Sequence, residues 1–257
     1  MTVSFDSSTL LHNVIMTVVT VIYVKTVTFL CAQLVYYGIV GVKLSRKMIH
    51  VLAGTWMLFW PYFSRGDGWS WTLAMAAPLA YAFVLLYKGL YVKDRDDADV
   101  KSMSRSGCPR ELLAGPLYYL IVMCAVGFGL FMEPCGILTL SALSFGDGLA
   151  PYFGETYGHV VSYKSQYQYR TLGRYKTYLG SLVMFVASLL GGLLMYACVL
   201  HTVPSFTVVV VHGIASFVAM LAEAFSPSDL DNFAVPLSVY GTLRVLSSVL
   251  RIPKHIL

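Results

Sequence analysis

The chain has 257 residues, of which 57% are apolar and only 12% are charged, and its net charge is +5. Because soluble domains carry about 25% charged residues, this composition excludes an ordinary soluble domain. We therefore expect an integral membrane protein whose partners include membrane lipid and do not include nucleic acid.

The predicted elements are transmembrane helices, because long charge-poor segments recur along the chain and backbone groups in lipid must be paired internally. We predict an all-α polytopic membrane helix bundle with seven to eight transmembrane helices, forming one domain over 1–257. Since Lys25 interrupts the first apolar region, 7–42 forms either one tilted span or two short ones. The expected spans lie near 8–40, 48–64, 69–90, 112–132, 134–150, 177–201, 205–224 and 233–250.

Basic residues are concentrated in three loops, at 43–47, 88–110 and 155–176, which hold thirteen of the 18 Lys and Arg residues. The predicted spans put these loops on one side of the membrane, which the positive-inside rule makes cytoplasmic or its equivalent. Topology alone explains this excess, and so does a surface that attracts anionic substrates. The first ten residues lack a basic region, so neither a transit peptide nor a cleaved signal peptide is expected.

The first polar motif opens the predicted span 48–64. Ser45 is a plausible N-cap. Arg46 and His50 are four residues apart, so they share a helix face, and Lys47 is one step around the helix. These side chains could direct three nitrogen donors at one ligand, although a topological role explains Arg46 and Lys47 equally well.

The second motif follows the mixed-charge segment 93–99, which we interpret as a solvated loop. Pro109 suits a first helical turn, with Glu111 favourably placed at the positive end of the helix dipole. Arg110 would then lie at the membrane surface. The Gly115-Pro116 pair is expected to loosen the helix one turn further on.

The third motif is Gly146-Asp147-Gly148, inside an otherwise apolar segment. An ionised carboxylate at membrane depth is costly unless it is paired, hydrated or bound to a cation, so Asp147 is a functional candidate. We expect the two glycines to let backbone amides approach a ligand. A basic, Tyr-rich loop containing Lys164 and Arg174 follows.

The start of the span at 177–201 is a candidate phosphate site, because amides at a helix N-terminus favour anions. Its candidate residues are Lys176, Thr177, Gly180 and Ser181. The last motif contains Glu223, Asp231 and Asn232, whose oxygen atoms suit Mg²⁺. Helix capping by Asp231 or Asn232 is the alternative explanation for two of these residues.

Taken in order, the motifs resemble the polyprenol kinase family of phytol, farnesol and dolichol kinases, which is related to CTP-dependent diacylglycerol kinase. The resemblance covers about 43–240, and 1–42 forms an N-terminal transmembrane region. The chain departs from the family at Glu155, where relatives often have a basic residue. The motifs that carry it are Arg46-Lys47-x-x-His50, Arg110-Glu111-Leu112 with Gly115-Pro116, Gly146-Asp147-Gly148-Leu149-Ala150, Lys176-Thr177-x-x-Gly180-Ser181, and Glu223 with Asp231-Asn232-x-x-x-Pro236.

The resemblance implies transfer of the γ-phosphoryl group of CTP, or of another nucleoside triphosphate, to an isoprenoid alcohol. The chain length favours phytol, geranylgeraniol or farnesol. Phosphoryl transfer requires positioning and charge neutralisation. We therefore expect Asp147, with Asp231 or Glu223, to hold Mg²⁺, and either Asp147 or His50 to act as the base. The expected triphosphate contacts are Lys47, Arg110 and Lys176, aided by Arg46, Lys164 and Arg174, with Gly146, Gly148, Thr177, Gly180 and Ser181 also at the nucleotide.

Three alternatives remain open from the sequence. The chain could be a dolichol or diacylglycerol kinase of the same family, an enzyme like phosphatidate cytidylyltransferase, or a transporter with broken helices. A eukaryotic source would place the protein in the endoplasmic reticulum or the plastid envelope.

Overall fold

The structure is a computed structural model, and it describes residues 7–94, 97–104, 106–158, 168–171, 174–227 and 229–257. At 168–170 and 174–175 only the backbone is described. The described residues form ten α-helices in chain order: α1 (Ser7–Tyr36), α2 (Val42–Gly54), α3 (Ala76–Tyr91), α4 (Ala98–Met103), α5 (Gly115–Gly129), α6 (Pro134–Ser141), α7 (Gly148–Tyr157), α8 (Tyr178–Leu200), α9 (Phe206–Phe225) and α10 (Asp231–Val249).

Shorter helical turns extend several of these helices. Three 3₁₀ segments, Thr55–Tyr62, Ser70–Met75 and Pro109–Leu113, extend α2 and precede α3 and α5. The sequence predicts a loosened helix near Gly115, and this is confirmed. Ala114 leaves helical geometry between the 3₁₀ segment Pro109–Leu113 and the start of α5. A wide π-helical turn, Ala142–Asp147, joins α6 to α7.

Among the residues that the structure describes, five helices are long and apolar enough to cross a membrane: Ser7–Tyr36, Ser70–Tyr91, Pro109–Gly129, Tyr178–Leu200 and Phe206–Phe225. The predicted all-α bundle agrees with this architecture, and 7–36 is one continuous helix. The predicted count of seven to eight spans is not confirmed. The other three predicted spans are helical, but 48–64 is divided between α2 and a 3₁₀ segment, and 134–150 contains the wide turn.

The helices that position the site pack around α8. It contacts α6, α7, α9 and the wide turn, while α1 packs on the other side against α2 and α4. The core is densely filled by large side chains, among them Trp56, Trp60 and Leu138. Much of α1 faces outward, with exposed apolar side chains such as Leu11, as expected for a helix in contact with lipid.

An antiparallel hairpin precedes α8, in a segment that the sequence predicts to be only a loop. Its strands are β1 (Gln168–Thr171) and β2 (Arg174–Thr177), with Gln168 paired to Thr177. The hairpin leads directly into α8, because Thr177 is the N-cap and its hydroxyl oxygen accepts from the Gly180 amide at 3.0 Å. This cap confirms that 176–181 opens the long helix.

Two local predictions were wrong. Helix α2 begins at Val42 after an extended Gly41, so Ser45 lies inside the helix, and its buried hydroxyl donates to the Cys31 carbonyl instead of capping. Nor is 93–99 simply solvated, because Asp97 caps α4 and lies 2.8 Å from Lys88 Nζ. Residues 95–96 are outside the described part of the chain.

Candidate active site

Asp147 lies at the end of the wide turn, with only 6% of its side chain exposed. The flanking glycines allow close helix packing. A Cβ on Gly146 would overlap the Ser188 side chain of α8, and one on Gly148 would approach Val51 of α2 at 2.6 Å. The chain stays helical here, so the structure gives these glycines a packing role different from the predicted approach of amides to a ligand.

Two residues of α2 meet Asp147. Lys47 Nζ lies 3.1 Å from the Asp147 carbonyl oxygen and 4.0 Å from Oδ2. His50 Nε2 lies 3.4 Å from the same Oδ2 and 3.1 Å from the Leu143 carbonyl oxygen. The predicted grouping of this helix face with the Asp147 motif is therefore present in the fold.

The N-terminus of α8 forms the second basic region. Here α7 and α8 approach closely, because a Cβ on Gly180 would lie 3.4 Å from the Gly154 Cα and 3.3 Å from the Ala150 carbonyl. Lys176, just before the helix, forms an ion pair with Glu223 at the end of α9. Helix amides and an ammonium group therefore lie together, as anion binding requires.

Acidic and amide oxygens from α9 and α10 complete the polar part of the site. Burial, and after it the negative charge of Asp147, raises the pKa of Asp231 to about 7. Asn232 is buried, and its Oδ1 has no hydrogen-bond partner within the described part of the chain. Asp229 also faces this region, near Gly115.

The charged and amide side chains described above line one cavity of about 1040 Å³. Along α2 and its extension, Lys43, Lys47, His50, Ala53 and Trp56 line it in succession, so it runs roughly 20 Å at 1.5 Å per residue. The charged end is lined by Lys43, Arg46, Lys47, His50, Asp147, Glu155, Lys176, Thr177, Gly180, Ser181, Glu223, Asp229, Asp231 and Asn232. The apolar end is lined by Val24, Val27, Ile49, Ala53, Trp56, Pro78, Tyr81, Leu85, Met103, Leu120 and Met123.

Most of the predicted site residues meet at the charged end, and a few do not. Arg110 is exposed and is not among the residues that line the cavity. Gly146 and Gly148 are also not among its lining residues, and they pack against α8 and α2. Lys164 is outside the described residues, and only the backbone of Arg174 is described.

Several lining residues were not predicted. The Tyr119 hydroxyl of α5 donates to the His50 carbonyl at 2.8 Å and lies 2.9 Å from Ser144 Oγ. Tyr23 of α1 and Trp56 also line the cavity. Aromatic residues in apolar spans carry no sequence signal that separates a cavity wall from lipid contact. At the rim of the cavity, Lys43 Nζ lies 3.1 Å from Glu155 Oε2. The sequence does not predict this ion pair, because the two residues are far apart along the chain.

The oxygen atoms at the charged end are candidate ligands for Mg²⁺. In the ranges that the structure describes, no group of three His, Cys, Asp or Glu side chains could hold a metal ion alone. Asp147, Glu223, Asp231 and Asn232 nevertheless line one cavity, and Asn232 Oδ1, which has no hydrogen-bond partner among the described residues, could coordinate a cation. These oxygens fit Mg²⁺, which usually takes one or two carboxylates and completes its coordination with water and substrate phosphates.

Comparison with known proteins gives the family. No protein-family model and no solved structure matches the chain. It is 34% identical over 204 residues to Probable phytol kinase 1, chloroplastic, of Oryza sativa subsp. japonica, which covers 76% of this chain and 62% of that protein. It is 31% identical over 182 residues to Phytol kinase 1, chloroplastic, of Arabidopsis thaliana, covering 70% of this chain and 57% of the relative.

A third relative has a different named alcohol. Over 124 residues the chain is 37% identical to Farnesol kinase, chloroplastic, of Arabidopsis thaliana, which covers 47% of this chain and 39% of that protein. The chain thus spans less than two thirds of the length of these curated relatives. Together these homologues, named phytol kinase and farnesol kinase, support a polyprenol kinase family for the chain.

Proposed function

We propose that the protein is a membrane kinase that transfers the γ-phosphoryl group of CTP to the hydroxyl of an isoprenoid alcohol. The observation that carries this proposal is the single cavity with a charged end and an apolar end. A prenol has the same two parts, a polar hydroxyl and a long apolar tail. The names of the relatives, which specify phytol and farnesol, support this substrate class.

The charged end has the groups that phosphoryl transfer needs. Lys47 of α2 and Lys176 of β2 flank Asp147, so they would neutralise the triphosphate from two sides. The first amides of α8 would bind the same phosphates. Arg46 lines the same region and adds a further positive charge.

Asp147 is the residue best placed to act on the attacking alcohol. Its carboxylate lies at the charged end beside Lys47, and the cavity continues from there to Ala53 and Trp56. A hydroxyl whose tail filled the apolar end would reach this carboxylate, which would accept the proton as the oxygen attacks the γ-phosphorus.

The metal assignment is part of the proposal. Asp147, Glu223, Asp231 and Asn232 are the residues that would hold Mg²⁺, which would neutralise charge on the β- and γ-phosphates when bound. Glu223 pairs with Lys176 in the structure, so its carboxylate would also set the position of that ammonium group.

The apolar end accounts for the choice of a short prenol. Trp56 is 1% exposed, donates from Nε1 to the Ala74 carbonyl at 2.9 Å, and is the last residue of the α2 series that lines the cavity. An apolar compartment that ends at Trp56 would suit phytol, geranylgeraniol or farnesol better than dolichol. The chloroplastic names of the relatives lead us to propose a plastid membrane as the location, with the charged end facing the side of the basic loops.

The proposal is tested with the purified full chain in lipid nanodiscs. Labelled CTP, ATP, GTP and UTP are each offered with farnesol, geranylgeraniol, phytol, dolichol or diacylglycerol. We expect phosphorylated short prenol and CDP as products. Release of pyrophosphate would instead indicate a cytidylyltransferase. Transfer to no alcohol from any nucleotide would overturn the proposal, and vesicle flux without nucleotide turnover would favour a transporter.

A further inference from the structure

We infer that His50 is a positioning residue and that its Nε2 is not the base: Nε2–H holds the wide turn and so places the carboxylate of Asp147. This inference rests on the proposed function, and it assigns roles that the sequence left open between His50 and Asp147. It follows from one hydrogen bond and one ion-pair contact of the same ring nitrogen.

The contact with the Leu143 carbonyl determines where the proton of His50 lies. Nε2 is 3.1 Å from that oxygen, and a carbonyl oxygen can only accept a hydrogen bond. Nε2 must therefore carry the hydrogen. A nitrogen that already carries a hydrogen cannot take a second proton from an alcohol, so the ring nitrogen that faces Asp147 is not available as a base.

Nε2 also lies 3.4 Å from Asp147 Oδ2, an ion-pair contact and not a second hydrogen bond. Leu143 and Asp147 lie four residues apart in the wide turn, so the ring that donates to Leu143 also lies against the carboxylate of Asp147. π-Helical turns are rare, and they frequently occur at functional sites. Here the turn needs an external donor, because buried carbonyl oxygens require partners.

The imidazole ring cannot readily turn to another orientation. Its centroid is 4.0 Å from that of Tyr119, at an interplanar angle of 32°. Tyr119 also donates to the His50 backbone carbonyl, which holds the two residues together. On the other side Gly148 leaves little space, since a Cβ there would lie 3.2 Å from His50 Cδ2.

These contacts assign the chemistry to the carboxylate. Lys47 and His50 both approach Oδ2 of Asp147, so the proton of the alcohol would pass to Oδ1. As that proton leaves, the alcohol oxygen forms its bond to the γ-phosphorus. The bond from the γ-phosphorus to the bridging oxygen breaks, and the nucleoside diphosphate departs with the bond electrons.

Two variants separate a donor from a base. His50→Gln keeps an N–H donor and cannot act as a base, whereas His50→Leu removes both functions. We expect His50→Gln to keep at least about a tenth of kcat, and His50→Leu to lose about 100-fold, with KM for CTP changed little in both. Melting temperatures identify any variant that is unfolded. Equal inactivity of two folded variants would identify His50 as the base, and full activity of both would exclude a positioning role.

A second measurement does not depend on activity. The full chain is labelled with ¹⁵N-histidine in nanodiscs, and the signals of His50 are identified by their loss in His50→Gln. We expect ¹⁵N shifts typical of a neutral ring protonated at Nε2. Protonation at Nδ1 would overturn the inference even if His50→Leu failed to fold. If the wild-type protein phosphorylated no alcohol, the proposed function would fail while this measurement still decided the tautomer.

Discussion

The two ends of the cavity are built in different ways. The charged end is assembled from short motifs, each within a few residues of a helix terminus, such as Arg46 to His50 on α2 and Lys176 to Ser181 at α8. The apolar end is assembled from single residues on α1, α2, α3 and α5, among them Val27, Trp56 and Leu85. The polar residues of the site are therefore grouped in short sequence motifs, whereas the shape of the apolar end depends on tertiary packing between distant segments.

The largest effect should come from the charged end, at Asp147. Asp147→Asn keeps the size of the side chain but removes the charge and the capacity to accept a proton. We expect kcat to fall about 1000-fold, because general base catalysis contributes about 100- to 10,000-fold. The assay uses CTP and phytol, with Glu155→Gln on the exposed rim as the control. Retention of more than a tenth of wild-type kcat would remove Asp147 from the catalytic step.

A smaller effect is expected at the basic side of the same end. Lys176→Met should raise KM for CTP about 30-fold, a loss of about 2 kcal/mol, because a charged hydrogen bond to phosphate disappears. Lys43→Met is the matched control, since Lys43 is a rim lysine with 86% of its side chain exposed. If both variants changed KM equally, general attraction of the nucleotide by surface charge would replace specific binding.

Lys176→Met also leaves Glu223 buried without its partner, which by itself destabilises a protein. The double variant Lys176→Met with Glu223→Gln removes this cost. A melting temperature restored in the double variant, together with a still elevated KM, would separate phosphate binding from stability.

The apolar end should affect which alcohol is used and leave the chemical step almost unchanged. Trp56→Leu should lengthen the apolar compartment. We therefore expect the preference for alcohols longer than phytol to rise about tenfold, because small changes in the size of an apolar pocket alter discrimination by about this factor. Met57→Ala is the control, because Met57 is fully buried beside Trp56 but does not line the cavity. An unchanged preference would mean that the end of the tail lies in the membrane and not against Trp56.

The same contrast explains how much the sequence could predict. Helix spacing placed Arg46 and His50 on one face, and five motifs in order indicated the family, which the homologues confirm. The long apolar helices were predictable from composition because lipid leaves the backbone few alternatives. Many site residues were predictable because their motifs adjoin helix ends. The composition of the apolar segments already indicates where those ends lie.

What could not be predicted depends on contacts between distant segments. Trp56 and Tyr119 are ordinary apolar-span residues until the fold turns them toward one cavity. The glycines beside Asp147 looked like ligand-approach positions, but they allow α2 and α8 to pack closely. The predicted span count is not confirmed, and runs of apolar residues do not show where α2 changes to a 3₁₀ segment or where a turn widens.

The smallest expected effect tests the outer wall of the apolar end, where Tyr81 lines the cavity and donates to Asp99 at 2.7 Å. Asp97 and Asp99 both accept from Lys88 beside this wall. Burial acts to raise the pKa of Asp97, but hydrogen bonds from Lys88 and Val100 outweigh it and hold this pKa below its ordinary value. Ionised Asp97 therefore stabilises the folded state above the ordinary carboxyl pKa, and this contribution is lost as pH falls through the folded-state pKa.

Asp97→Asn isolates that charge, because Asn also caps helices well. We expect the variant to lose about 1 kcal/mol of stability at pH 7, as a partly exposed ion pair would. At about pH 3 the difference from wild type should be smaller, since the pH has fallen below the ordinary carboxyl pKa and the unfolded state is protonated. Denaturant unfolding in detergent at both pH values measures this, with kcat for phytol followed in parallel. A stability gap that stayed constant with pH would show that packing, and not the charge, holds this wall in place.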